Sequence, residues 1–250
     1  MKKQGDRSAG WPQGWLTACA DLFFPPLCLG CGRFIVSSLP PQFCVDCQKT
    51  LPFVQEPLCL CCGTPFVSGK SHICGACLRK PPSFHLARSL FLYEEPISRC
   101  IISLKFAGEL YMLKSLQALM AVSESMQDLS KPDWVVPVPL HAGRLRERGF
   151  NQALLLCRAC FPQWRRLIRT DILLRPAATI PQSQLTGTER RRNLRGAFQL
   201  RHSAEVRNKN VLLVDDVFTT GSTMAECSSV FRAAGARRIE AFTLARSVKV

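Results

Sequence analysis

No stretch of this 250-residue sequence is apolar for long enough to span a bilayer as a helix. A leader is not legible either. Lys2, Lys3 and Arg7 are followed by no long apolar core, and Asp21 and Pro25-Pro26 interrupt the partly apolar run from Trp15 to Phe24. The chain therefore reads as cytoplasmic, without a transmembrane segment. In that compartment so many cysteines, 14 in all, point to metal ligands rather than disulfides. Acidic residues are scarce: 18 Asp and Glu stand against 33 Lys and Arg, a formal net charge of +15. Such a balance points to a polyanion, whether nucleic acid, an anionic membrane or a phosphorylated substrate. The plain alternative is a solvated basic surface. A Walker A lysine is missing, which excludes a P-loop ATPase. An apolar content of 47% excludes disorder over most of the length. The length suits one sizeable domain and a small one.

What is present centres on Val211-Leu-Leu-Val-Asp215-Asp216-Val-Phe-Thr219-Thr220-Gly221-Ser222-Thr223. Four consecutive apolar residues predict a strand buried on both faces, as in a parallel sheet. The two carboxylates stand where that strand is expected to end. A hydroxyl-rich turn follows, then a helix from Met224 to Ala234 that Ser222 or Thr223 can cap. A strand, a Gly/Ser/Thr turn and a helix N-terminus converge backbone N–H groups and a positive dipole end on one spot, the chemistry of a phosphate site. Asp215 and Asp216 add acceptors for vicinal sugar hydroxyls, or contacts to Mg²⁺. A ribose 5-phosphate group meets both halves of the pattern. The stretch resembles the PRPP-binding motif of type I phosphoribosyltransferases. That resemblance implies that Asp215 and Asp216 face the ribose hydroxyls and that Thr219, Thr220, Gly221, Ser222 and Thr223 wrap the 5′-phosphate.

The second signal is four Cys-x2-Cys pairs: Cys28/Cys31, Cys44/Cys47, Cys59/Cys62 and Cys74/Cys77. Four thiolates at such spacings match tetrahedral Zn²⁺, and two sets predict two structural sites. The glycines after Cys31 and Cys62 suit tight knuckle turns. Sequential ribbons (28/31/44/47, then 59/62/74/77) are the preferred pairing, with a cross-braced arrangement as the alternative. Cys61 blurs the third pair, but Cys59 with Cys62 has the better spacing. Cys19, Cys100, Cys157, Cys160 and Cys227 read as ordinary buried cysteines.

Basic residues concentrate in two places. Arg144, Arg146 and Arg148 follow the apolar segment Asp133–His141, whose Pro137 and Pro139 bar it from a central ladder. Their position near a strand's carboxyl end, and the fit of guanidinium forks to phosphate, make them candidate pyrophosphate or nucleic-acid contacts. Arg190, Arg191, Arg192 and Arg195 lie in a polar stretch, Thr179–Phe198, that reads as a long functional loop. Around these, strands are expected near Ala87–Tyr93 and Ile239–Leu244. Helices are expected over Trp11–Phe24, Pro96–Phe106, Leu110–Met126 and Ala153–Cys160.

The cysteine knuckles, Val136-Pro-Val-Pro-Leu-His141, Arg144-Leu-Arg-Glu-Arg-Gly-Phe-Asn-Gln-Ala153, Gln182-Ser-Gln-Leu185, Arg192-Asn-Leu-Arg-Gly-Ala-Phe198 and the PRPP motif occur in that order. In this the chain resembles the ComF/GntX family of competence and DNA-utilisation proteins. The resemblance implies an α/β fold: a type I phosphoribosyltransferase-like parallel-sheet domain over residues 85–250, behind a small zinc-binding module at 28–80 and an N-terminal segment at 1–27. It implies a role in handling extracellular DNA, with single-stranded DNA, a ribose-phosphate ligand and DNA-uptake or helicase-type proteins as partners. Zinc is then structural, and Mg²⁺ accompanies PRPP. Two other readings stay open: an active phosphoribosyltransferase on an unidentified acceptor, and a PRPP-sensing regulator.

Overall fold

The structure, a computed structural model, describes residues 26–35, 40–106, 111–123, 126–176 and 196–248. The expected helix over Trp11–Phe24, Cys19, and Arg190, Arg191, Arg192 and Arg195 lie outside the described residues. In chain order the elements are α1 (Val45–Lys49), α2 (Gly75–Arg79), β1 (Leu86–Leu92), α3 (Ile97–Phe106), α4 (Tyr111–Ala121) and β2 (Trp134–Pro137). Then come α5 (Ala142–Arg148), α6 (Gln152–Cys160), β3 (Leu173–Leu174), β4 (Gln199–Leu200), β5 (Asn210–Phe218), α7 (Ser222–Ala233) and β6 (Arg238–Arg246).

Four parallel strands form one sheet in the order β1-β6-β5-β2. Strands buried on both faces need apolar residues at every position, and this is why Val211–Val214 forms an unbroken run rather than an alternating one. One face carries α3, α4 and α6, with Leu212, Val214 and Phe242 packed against Ile101, Leu116 and Leu156. The other carries α7, with Val211, Leu213 and Ile239 against Met224, Cys227 and Phe231. Each of these large side chains contributes about 1.5–3 kcal/mol by leaving water. β2 lies at an edge, where Pro137, which has no N–H, costs no central ladder bond. β3 and β4 pair antiparallel outside the sheet.

Both cysteine ribbons serve the opposite edge. Residues 51–54 run along β1: Val54 N–H donates to Leu90 C=O at 3.0 Å, and Leu92 N–H donates to Pro52 C=O at 2.7 Å. Ala87 N–H donates to Cys61 C=O at 2.7 Å. Donors and acceptors that an edge strand would offer to another chain are thus taken up internally. Cys28, Phe43 and Leu51 join the core on one face of the sheet, and Cys59, Cys62 and Cys77 join the core on the other. The ribbons straddle β1 and have no core separate from the sheet.

Three local expectations are corrected. Residues 144–148, where no helix is expected, belong to α5. His141 Nδ1 accepts from Gly143 N–H at its start, and Gly149 ends it in the left-handed region. So short and polar a helix has no apolar periodicity, and only its caps mark it. The helix expected to reach Met126 stops at Ala121. The central strand continues four residues beyond Val214, because β6 goes on pairing with it as far as Phe218↔Arg246.

Candidate functional site

The eight knuckle cysteines form two groups, Cys28/31/44/47 and Cys59/62/74/77, with the sulfurs of each group within 4.8 Å of one another. This is the sequential pairing. Four sulfurs about 2.3 Å from a zinc sit about 3.8 Å apart. The Sγ–Sγ distances Cys31–Cys44 and Cys62–Cys74 are both 3.8 Å. Backbone N–H groups stabilise sulfur charge in the manner of metal knuckles. Gly30 and Cys44 donate to Cys28 Sγ at 3.4 and 3.2 Å, and Cys62 and Cys74 donate to Cys59 Sγ at 3.4 and 3.3 Å. Burial pushes the Cys59 thiol up, but the backbone bonds from Cys74, Cys62 and Cys61 outweigh it and bring it down to about 6. The Arg33 guanidinium beside Cys31 lowers that thiol to about 6 as well. Donor set and distances both fit Zn²⁺. Cys61 stays outside its group, as do the buried Cys100, Cys157, Cys160 and Cys227.

The second site lies at the carboxyl end of β5. Gly221, not Ser222 or Thr223, is the N-cap of α7, with φ of 72°. Two facts require glycine there. The left-handed conformation disfavours side chains, and a Cβ would sit 2.6 Å from Phe218 Cζ. Ser222 is the first helical residue. Its hydroxyl lies 2.6 Å from Thr220 Oγ1, and its N–H donates to the same oxygen at 3.4 Å. The first helical bond runs from Ala225 N–H to Gly221 C=O, so the amides before it belong to the open end of the dipole. Thr219 and Thr220 are exposed and Ser222 is buried. The turn thus brings together backbone and hydroxyl donors of the kind an anion takes.

Asp215 and Asp216 stand where one neighbour has run out. β2 ends at Pro137 opposite Val214, whereas β6 continues. The pleat turns them to opposite faces. Asp216, 6% exposed, accepts from Gln152 Nε2 at 3.2 Å and pairs with Lys105 Nζ at 2.9 Å. Arg148 donates to Gln152 Oε1 at 2.9 Å, so α5, α6 and the end of α3 are tied to one carboxylate. Burial, and then the Asp216 charge, push the Asp215 carboxyl up to about 7, against lowering contributions from the Asp216 N–H, Lys105 and Arg175. Arg175 lies over the Phe198 ring at 5.4 Å. Burial lowers its guanidinium from the usual range, and Asp215 offsets this in part.

Of the sequence candidates, the structure gathers Asp215, Asp216, Thr219, Thr220, Gly221, Ser222 and Thr223 at one strand end. It brings Arg148 to them, with Arg144 near enough to act electrostatically on both Arg148 and Arg175. Arg146, two positions along α5 from each, is exposed and touches none of the acids. Sequence reasoning missed Lys105, Gln152 and Arg175 as site residues. They arrive from separate elements, and no spacing links them to β5. Asn151, which caps α6 and donates to Val138 C=O at 3.1 Å, fixes where Gln152 stands.

Comparisons with known proteins agree with this geometry. Residues 19–78 match the double zinc ribbon domain family, and residues 174–248 match the phosphoribosyl transferase domain family. The two cysteine groups are accordingly structural zinc sites. The chain is 35% identical to the DNA utilization protein YhgH of Escherichia coli O157:H7, over 82% of this chain and 90% of that one. It is 34% identical to competence protein F of Haemophilus influenzae, over 90% and 99%. It is 28% identical to competence protein ComFC of Bacillus subtilis, over 82% and 85%. With this identity across nearly the full length of its relatives, and with a double zinc ribbon joined to a phosphoribosyltransferase-type sheet, the chain belongs to the ComF/GntX family of competence and DNA-utilisation proteins.

Proposed function

We propose that this protein serves DNA uptake and utilisation in the cytoplasm. In this reading it binds single-stranded DNA through its basic segments and a ribose 5-phosphate group, as carried by PRPP, at the end of β5. Asp215 and Asp216 accept from the ribose hydroxyls, and the 219–223 turn holds the phosphate. Arg144, Arg148 and Arg175 face the pyrophosphate or nucleic-acid side, and Mg²⁺ accompanies a pyrophosphate-bearing ligand. Arg146, Arg190, Arg191, Arg192 and Arg195 extend the cationic surface for DNA. The chain divides into an N-terminal segment (1–27), the zinc module (28–80) and the phosphoribosyltransferase-like unit (85–250), and DNA-uptake or helicase-type proteins are its protein partners.

The observation that carries the reading is the convergence at one strand end. Two carboxylates sit beside a glycine-capped helix start, with lysine and arginine side chains around them. A plain phosphate cradle does not need the acids, and a cation site does not need the turn.

Salt-dependent binding tests the DNA half. Single-stranded oligonucleotides of mixed sequence should bind zinc-loaded protein at low salt with little sequence preference. Replacing Arg190, Arg191 and Arg192 with Ala should flatten the slope of log affinity against log salt by about 2, at about 0.7 per lost phosphate contact. An unchanged slope, or no binding at low salt, would assign the basic surface another purpose.

A further inference from the structure

Arg246, the last residue of β6, is 3% exposed, and its guanidinium faces the second zinc ribbon. Nη1 donates to Cys62 C=O at 2.7 Å, and Nη2 donates to Thr64 Oγ1 at 2.6 Å. Thr64 Oγ1 in turn lies 3.1 Å from Cys62 Sγ. One fork thus grips the backbone of a zinc ligand and the hydroxyl two residues beyond it. Nε has no hydrogen-bond partner among the described residues. Burying a guanidinium is costly, and a partner-less donor adds to that cost. For stability alone, an apolar side chain would fill this position as well.

The same guanidinium carbon sits 5.2 Å from the centre of the Phe218 ring, directly across the ladder in the Phe218↔Arg246 pair. Phe218 is the floor of the phosphate turn, since its ring approaches Gly221 so closely that a Cβ would not fit. Phe84, buried between ribbon and sheet, closes the remaining side of that ring, edge-on at 6.2 Å. The path from metal to turn is therefore continuous: Cys62, Arg246, Phe218, Gly221. Among the described residues the first ribbon has no such path. It packs on the other face of the sheet, among residues of α3 and α4.

We propose that Arg246 is a positioning residue through which zinc at Cys59/62/74/77 holds the phosphate turn in shape, so that zinc binding at this second ribbon and ligand binding at the turn are linked. The inference rests on reading residues 219–223 as a ribose-phosphate site. A filled ribbon fixes the Cys62 carbonyl, the carbonyl orients the guanidinium, and the guanidinium pins the Phe218 ring under Gly221. Linkage is reciprocal. Ligand at the turn must strengthen the hold on zinc at the second ribbon by the factor with which that zinc strengthens the ligand. The first ribbon should feel little of it.

The test reads each ribbon separately in the full zinc-loaded chain. Calorimetry first measures ribose 5-phosphate affinity for wild type and for Arg246→Lys, which keeps the charge and loses the fork. The protein is then challenged with a chelator, with and without saturating ribose 5-phosphate. Exposed thiols are alkylated and located by peptide mass spectrometry. In wild type, the ligand should slow alkylation of Cys59, Cys62, Cys74 and Cys77 by at least about fivefold, the lower end of coupling between linked sites. Alkylation of Cys28, Cys31, Cys44 and Cys47 should be unchanged. In Arg246→Lys, affinity should fall and the selective protection should disappear. Equal protection of both ribbons would reveal general stabilisation and overturn the inference, as would selective protection that survives in Arg246→Lys. Absence of protection while calorimetry shows binding would overturn the inference alone. Absence of ribose 5-phosphate binding in wild type would overturn it together with the ribose-phosphate reading. Should Arg246→Lys fail to retain zinc, Thr64→Val, which removes one of the two fork acceptors, takes its place with the same expected loss of selectivity.

Discussion

Asp215 is the residue on which the proposed ribose-phosphate site turns. Its carboxyl is held at about 7 in the folded protein against an ordinary 3.8. Between those values the folded state keeps a proton that the unfolded chain has released. Its contribution to stability is therefore largest below about pH 4, declines as pH rises to about 7, and is flat beyond. Asp215→Asn removes this slope. Urea unfolding from pH 4 to 7.5 should show the variant gaining stability relative to wild type as pH rises. Parallel pH profiles would mean that Asp215 ionises in the folded state as freely as in the unfolded chain. The place of Asp215 and Asp216 after an apolar run and before a hydroxyl-rich turn was legible in the sequence. Their true setting was not. The strand passes beyond them because β6 extends, and their partners Lys105, Gln152 and Arg175 come from positions 40 to 111 residues away. Only Lys105, at the end of an expected helix, carried a local hint.

At the scale of elements, the ribbons were the most legible part, because four thiolates around one ion dictate spacing more strictly than any core does. Their attachment was invisible in the sequence. A short segment with little core of its own suggests a module that unfolds alone on losing metal. The structure ties it to β1 instead. Zinc removal should therefore release the Val54, Ala87 and Leu92 amides, which bond across the seam, along with the ribbons themselves. Hydrogen exchange on chelator-treated protein should show these amides deprotected while Leu212 and Leu213 in β5 stay protected. Retained protection at Ala87 and Leu92 would show that the β1 edge stands without the ribbons. The short α5 illustrates the opposite case. Nothing but His141 and Gly149 announces it, yet it sets Arg144 and Arg148 one helical turn apart on one face, with Arg148 near Asp216, and leaves Arg146 off that face.

At the scale of the molecule, the sheet is a frame with a different task at each border. The β1 edge is closed by the two ribbons. The carboxyl ends of β5 and β6 carry the 219–223 turn and Arg246, where parallel sheets place their ligands. The fold class was readable because a doubly buried strand, an anion turn and a helix in register admit few architectures. The cationic surface was readable as charge, though not as geometry. In the proposed function the end of β5 is a ribose-phosphate site whose acids take the sugar hydroxyls. Calorimetry of PRPP and ribose 5-phosphate with zinc-loaded wild type and the Asp215→Asn, Asp216→Asn double variant tests it most directly. Hydrogen bonds to charged groups are worth about 1.5–3 kcal/mol each, so loss of both acids should lower affinity by at least about a hundredfold. Asn keeps the size of Asp, and the zinc content and unfolding cooperativity of the variant should match wild type. Undiminished affinity in the folded double variant would contradict the claim.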